Sequence, residues 1–449
     1  MAAANRAAQA GEAQITLFEI YSNYNDPVDV KSGCIELNYY ESILDNSIRA
    51  TATIADTGFR SPTGTGNDVA SVEKDDINLT VGEKVHLKIY DGNQFPLDFI
   101  DKKQFRIEEV RNVDESTNKM TYIIDLFSKE SIDNELEQYR VKQRYDGKVS
   151  DSVNKILKEV LKTPKDVDID TTLNKLSFIG NVDKPFYKLT WLGPRSVPEI
   201  PDAKGTLAGF FFYETYDGFK YKSIDKLFEQ KPKKKYIFNN LIRCESGERP
   251  DGYDGKILDF AFDSTLDLKN VLDTGSQVNA KLKGTNTYES AYRENNFDSK
   301  TQFGQNNIGG KEQPVIAKDL NIQQQVSRIS YKFDDQGFLV EGKNLSAQLP
   351  KSTFVNYNND EILRQSYVRY NNLFSIKLSI AIAGDMSLRA GDIIFCDFPE
   401  LSDKKNTLVS QKKSGNYMIV DICHRVTKNG CYTRMNLVRE SIGRKPTEM

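Results

Sequence analysis

Apolar residues recur at every second position in two short runs near opposite ends of the chain. Ile48, Ala50, Ala52 and Ile54 alternate with polar residues, and so do Ile376, Leu378, Ile380 and Ile382. A period of two marks a strand with one face packed and the other wet. Further strands are predicted at Cys34–Tyr40, Lys84–Tyr90, Gln104–Val113, Lys119–Phe127 and Ile393–Phe398, within a strand-patterned Phe374–Ile442. Leu44–Ser47 reads as a turn and Asp114–Asn118 as the bend of a hairpin. The period then changes. Val153, Ile156, Leu157, Val160 and Leu161 are spaced for one face of a helix over Ser150–Lys162, with Ser150 or Ser152 to cap it. Tyr187–Trp191 and Gly209–Tyr216 read as strands, Ile224–Phe228 as a short helical turn, and Asp360–Asn372 as helical. Gly275–Pro314 is rich in Asn, Gln, Ser, Thr and Gly, and is expected to be a long loop or to order only on assembly.

The two ends match each other in four ordered blocks. Ile48–Ile54 overlays Ile376–Ile382, with Arg49 and Lys377 on the opposite face. Leu79-Thr80-Val81-Gly82-Glu83 resembles Leu388-Arg389-Ala390-Gly391-Asp392, each just ahead of a strand. Gly82 and Gly391 there suit a tight turn with positive φ. Phe105 and Ile107 match Tyr417 and Ile419. Tyr122, followed by Lys129–Ile132, matches Tyr432, followed by Arg439–Ile442. The predicted fold class is mainly β with an α+β middle region: two related antiparallel β-barrel-like modules plus inserted domain(s). The expected divisions are a disordered leader (1–14), a first module (15–132), a middle region (133–373) holding the polar loop 275–314, a second module (374–443) and a tail (444–449).

A chain with two similar modules can build a ring of six modules from three copies, threefold in fact and nearly sixfold in outline. Composition narrows what such a ring does. The 449 residues carry 61 Lys and Arg against 64 Asp and Glu, a net charge of −3. That balance argues against a dedicated nucleic-acid binder, which needs clustered cations, but not against a surface that lets nucleic acid pass. The cysteines Cys34, Cys244, Cys396, Cys423 and Cys431 are too few and odd in number for a disulfide framework. They fit thiols kept reduced in the cytoplasm where the chain is made. No run approaches the roughly 18 apolar residues of a membrane span, so no membrane insertion is expected.

Catalytic chemistry is sparse. The two histidines are His86, in a predicted strand, and His424. Cys423, His424 and Cys431 are close in sequence, but without a paired Cys-x-x-Cys or a fourth ligand they read as strand residues around the turn Lys428-Asn429-Gly430. Glu214 and Asp217 invite a glycosidase reading, with a solvated loop as the plainer one. Lys231–Lys235 could hold a phosphate or form a solvated turn. No enzyme activity, cofactor or metal is expected.

Met386–Glu400, continuing through Ser414–Ile419, resembles the central baseplate hub protein of T-even-type contractile-tailed bacteriophages. Gly209–Phe228 and Lys184-Pro185-Phe186 before Trp191 resemble the middle of those hubs. The Leu-x-x-Gly-Asp block also recurs in hubs of related injection machines. The resemblance implies a homotrimer in the virion tail baseplate, whose two tube-like domains continue the tail tube as a pseudo-hexameric ring. It implies contacts with tail tube and baseplate proteins, and with a spike beneath that often carries a cell-wall lysozyme. The genome passes through the channel. On that reading Arg49, Thr51, Thr53, Lys377 and Ser379 face the channel or a neighbouring module. The competing classes are a tail-associated cell-envelope hydrolase and a carbohydrate-binding tail component.

Overall fold

The computed structural model describes residues 11–23, 27–56, 79–116, 119–199, 208–238, 255–264, 279–286, 291–298, 328–333, 362–363, 366, 369–370, 376–399, 410 and 413–439. The first part of the chain is a run of strands: β1 (Ala13–Tyr21), β2 (Val28–Asp29), β3 (Cys34–Ser42), β4 (Arg49–Asp56), β5 (Lys84–Asp91), β6 (Pro96–Phe99), β7 (Phe105–Ser116) and β8 (Lys119–Ser128). A mixed region follows: α1 (Lys129–Glu135), β9 (Arg144–Tyr145), α2 (Val149–Lys155), β10 (Val167–Ile169), β11 (Phe178–Ile179), α3 (Pro185–Leu192), β12 (Phe210–Thr215), β13 (Gly218–Ser223) and α4 (Ile224–Glu229). Then come β14 (Lys235–Ile237), β15 (Ile257–Ser264), β16 (Asn279–Asn286), β17 (Ala291–Asp298), β18 (Arg328–Phe333), β19 (Ile376–Ala383), β20 (Ile393–Asp397), β21 (Gly415–Thr427) and β22 (Gly430–Arg439). The molecule is mainly β, and both ends of the chain meet in one 14-stranded sheet of order β15-β19-β22-β21-β3-β4-β8-β7-β5-β1-β2, with β6, β14 and β20 paired off that path.

Two sets of five strands in this sheet share one order and one register. In the first, β3 pairs β4, β4 pairs β8, β8 pairs β7 and β7 pairs β5; in the second, β15, β19, β22, β21 and β20 follow the same sequence, all antiparallel. Ala50 lies opposite Leu126, as Leu378 lies opposite Leu437. Val85 lies opposite Phe105, as Ile394 lies opposite Tyr417. Bulges repeat too. The ladder shifts between Cys34 and Glu36 and between Ile257 and Asp259, and again between Ile107 and Glu109 and between Ile419 and Asp421. A bulge adds one unpaired residue and a local bend, so shared bulges at matched positions are a specific likeness.

The register moves one block of the repeat by one residue. Tyr122 pairs Asn112, and its structural counterpart is Thr433, which pairs His424. Tyr432 sits on the other face and is exposed, whereas Tyr122 is buried. Tyr122 and Tyr432 are therefore one step out of register, and a one-step slip exchanges the two faces of a strand. The second set also draws in β15, upstream of residue 374.

The middle region departs from expectation in three places. Tyr187–Trp191 is not a strand but lies in α3: Pro185 occupies the first turn, where its missing N–H costs nothing, and Phe186, Leu189 and Leu192 bury one face. The α2 helix is not capped by Ser150 or Ser152; its N-cap is Lys148, and the Ser150 N–H donates to Thr172 Oγ1 at 3.0 Å. Gly275–Pro314 is not a plain loop, because β16 and β17 pair antiparallel inside it and β18 joins β16 in parallel. Polar composition argues against a core there, not against backbone ladders. Of the helix expected at Asp360–Asn372, the described positions 362–363, 366 and 369–370 are helical.

Three large cores lie behind the described elements, beside a small fourth cluster of Val197, Ala208 and Ile362. The first set packs around Tyr39, Leu87, Phe99, Phe105 and Leu126, and takes in Met386, Val426 and Cys431 from the second. The second packs around Leu378, Ile394, Tyr417 and Leu437 and accepts Phe211, Tyr213 and Leu227. The middle region has its own core of Leu157, Phe178, Leu189, Phe212 and Phe219. The sharing of side chains between cores makes the three parts one packed body.

Candidate functional site

One polar face runs across β15, β19, β22, β21, β3, β4, β8 and β7. Ile48, Ala50, Ala52 and Ile54 are buried, as are Leu378, Ile380 and Ile382; Ile376 is half-buried. Their neighbours in sequence turn the other way. Arg49, Lys377 and Ser379 are exposed and Thr51 and Thr53 are half-buried. The ladder puts these alternate residues on the same face as Glu36, Asn38, Tyr40, Asp125, Asp421, Cys423, Arg425 and Arg434.

The charges on this face are mostly paired. Arg49 forms an ion pair with Asp45, and its guanidinium lies 5.6 Å from the Phe127 ring. The Thr51 hydroxyl donates to Asp125 at 2.9 Å, and Arg111 reaches the same carboxylate at 2.5 Å. Arg425 meets Glu36 at 2.8 Å, and Ser42 donates to Asp421 at 2.5 Å; both contacts cross from one strand set to the other. The Ser379 hydroxyl donates to Asn436 at 2.8 Å. Lys377 stands opposite Asp263 in the ladder. Over the seam the face sinks into a groove of about 740 Å³, whose charged lining is Glu41, Asp45, Arg49, Glu108, Asp125, Asp421 and Arg434. Acidic groups outnumber cations there, so the groove does not present the clustered cations that hold nucleic acid.

Behind the polar face lies a set of buried ions that sequence reasoning missed. Lys165, almost fully enclosed, sits 2.6 Å from Glu130 and 2.5 Å from Glu214. Burial disfavours its charge, but the two carboxylates outweigh that and hold it above the ordinary lysine range. Burial pushes Glu214 up, against the pull of Lys165. Glu214 also accepts the Ile48 N–H at 3.2 Å, tying β12 to the strand pair of the first set. Glu41 accepts from the Tyr39 hydroxyl (2.7 Å), the Tyr216 N–H (2.8 Å) and the Ala390 N–H (3.0 Å). Its neighbour Arg389, 4.0 Å away, donates to the carbonyls of Met386 and Leu388 at 2.7 and 2.8 Å. Glu41 thus joins the first set, the middle region and the second set at one carboxylate. No periodic signal marks Lys165 or Glu41, because a buried ion among apolar neighbours reads in sequence as a solvated one.

Gly82 and Gly391 occupy equivalent turns, at φ +85° and +91°. The Gly82 N–H donates to the Ile107 carbonyl at 2.7 Å, and the Ile107 N–H returns to Glu83 at 3.0 Å. The Gly391 N–H donates to Ile419 at 2.8 Å, and Ile419 returns to Asp392 at 2.9 Å. Residues weighed for chemistry are bound up structurally. Glu214 lies inside rather than on a solvated loop, while Asp217 is half-exposed beside Arg389. Lys233 and Lys234 clamp Asp392 and Asp385 at 2.8 and 2.5 Å instead of forming a free turn. Cys423 lies on the polar face, and His424 and Cys431 on the buried one. His86 packs 4.5 Å from the Tyr21 ring. Among the described residues no group of three or more His, Cys, Asp or Glu is placed to hold a metal ion, and no helix is long and apolar enough to cross a membrane.

No protein-family model and no curated protein matches the chain. Solved structures similar to it include a 43 kDa tail protein of prophage MuSo2 from Shewanella oneidensis, at 7% identity and a TM-score of 0.48, covering 94% of this chain and 98% of that one. A tail protein from Neisseria meningitidis is similar at 9% identity and a TM-score of 0.47, covering 94% and 96%. A prophage tail protein from Listeria monocytogenes is similar at 10% and 0.43, covering 94% of each.

Proposed function

We propose that the chain is a structural, non-catalytic hub of a bacteriophage tail baseplate. Three copies form a ring of six modules that joins the sixfold tail tube to a trimeric spike. One observation carries this reading: two strand sets of the same order and register, with two bulges at matched positions, lie side by side in one sheet. A side-by-side pair related by a repeated operation is the element from which a ring is extended. The resemblance of Met386–Glu400 to contractile-tail hubs points the same way. The shared polar face, with Arg49, Thr51, Thr53, Lys377 and Ser379 on it, is the lumen. Its paired charges let DNA slide without the counterion release that would hold it. The second module is discontinuous, β15 with β19 to β22, and the middle elements α1 to α4 stand outside the ring, toward neighbouring baseplate parts.

Mass in solution tests the assembly, with three times the 51.0 kDa chain mass expected. A monomer at micromolar concentration, alone and with candidate spike proteins, contradicts the ring.

A further inference from the structure

The seam inside the chain is a template for the seam between chains. The β21 strand is long, and its edge away from β22 is shared. Its first part, to Met418, pairs β20, and its last part, Asp421–Thr427, pairs β3. The β7 strand is its counterpart. Near its start Phe105 and Arg106 pair β5. Beyond the bulge at Ile107/Glu109, that same edge of β7 takes no strand among the described residues. The counterpart of β3 is β15, which pairs β19 on one side and on the other takes no strand among the described residues. Each open edge is therefore the mate of an edge that is already paired elsewhere in the same molecule. Open strand edges carry unmet N–H and C=O groups and invite a further strand.

We propose that a second copy of this chain lays its β15 antiparallel along β7 from Glu109 to the next bulge at Asn112/Asp114, in the register that β3 and β21 use. This rests on the ring reading above and names its contact. Carrying the intrachain pair Cys423 with Tyr40 across the repeat gives Arg111 opposite Asp263, and the pair Ile422 with Glu41 gives Val110 opposite Ser264. Arg111 and Asp263 are both exposed and opposite in charge, which favours the pairing directly across a ladder. The intrachain seam carries the same kind of contact in Arg425 with Glu36. The contact is head to tail, first module to second module, so it propagates around a ring.

Oxidative cross-linking of the full-length Arg111→Cys/Asp263→Cys protein tests the register. Tyr40→Cys, which faces the native Cys423 within the chain, calibrates the equivalent pair. The expected result is a ladder of covalent dimers and trimers on a denaturing gel, absent from either single variant. Cross-linking through Arg111→Cys/Phe262→Cys instead overturns the register. A protein of trimeric mass with no cross-link overturns the strand pairing and leaves the ring standing, whereas a monomeric mass overturns both. Charge reversal gives an independent reading, with urea unfolding of each variant as its control because Arg111 also pairs Asp125 and Asp263 stands opposite Lys377: Arg111→Glu and Asp263→Lys should each raise several-fold the concentration at which trimers fall apart, and the double variant should restore it. Additive losses in the double variant contradict the contact.

Discussion

At the residue scale the repeat is sharpest in its two turn glycines, and their differences are as telling as their likeness. Both hold positive φ, where an added Cβ is strained. A Cβ on Gly82 would meet nothing within 4 Å, whereas one on Gly391 would collide with the Tyr213 hydroxyl and press on Leu227. Gly82→Ala should therefore cost about 1 kcal/mol, the backbone term alone. Gly391→Ala should cost visibly more in urea unfolding, and equal costs would contradict the packing of the middle region on the second turn. His424 offers a test by pH. Its ring is fully buried, Nδ1 lies 3.0 Å from Thr433 Oγ1, and it stacks 6.0 Å from the Tyr39 ring. Burial, with Arg389 adding to it, pushes its pKa down to about 3. Between about 3 and the unfolded value of about 6.5 the unfolded chain binds the proton and the folded one does not, so stability falls as pH drops through that window. The slope from this one group approaches about 1.4 kcal/mol per pH unit. His424→Gln should flatten the profile relative to the unchanged protein, as followed by thermal unfolding from pH 7 to 4; an identical slope would mean that the ring reaches solvent.

At the scale of elements, the buried ions fix how the three parts sit together. Lys165→Met should leave Glu130 and Glu214 enclosed without a cation and cost about 3–5 kcal/mol. A loss under 1 kcal/mol in denaturant midpoint would show that water already reaches the site. Period-two patterning made β3, β4, β5, β7, β8 and the β21–β22 hairpin legible in sequence, because one face of each is packed and the other wet. The same signal placed Arg49, Thr51, Thr53, Lys377 and Ser379 on the face away from the core. Patterning failed at α3, where aromatic residues suggested a strand although Lys184-Pro185 is a helix start. It failed at β16 and β17, where backbone pairing needs no apolar face. It was silent on β15 as partner of β19, since pairing between strands far apart in sequence leaves no local mark.

At the scale of the whole molecule, the proposed ring would take its wall from the two matching strand sets, their common wet face and the open edges of β7 and β15. On the proposed ring, a lumen in which carboxylates outnumber cations along the seam groove should not retain DNA. At about 0.15 M salt, roughly physiological ionic strength, the isolated assembly should bind duplex DNA no more tightly than a non-specific surface. Tight binding weakened by Arg49→Glu or Lys377→Glu would mean that the channel grips its cargo. The most direct test of the central claim is single-particle imaging of the purified full-length protein. Top views should be rings of six similar lobes around an open centre, with threefold symmetry once the middle regions are resolved at the periphery. Lone particles, or rings whose lobe number is not twice the number of chains, would contradict it.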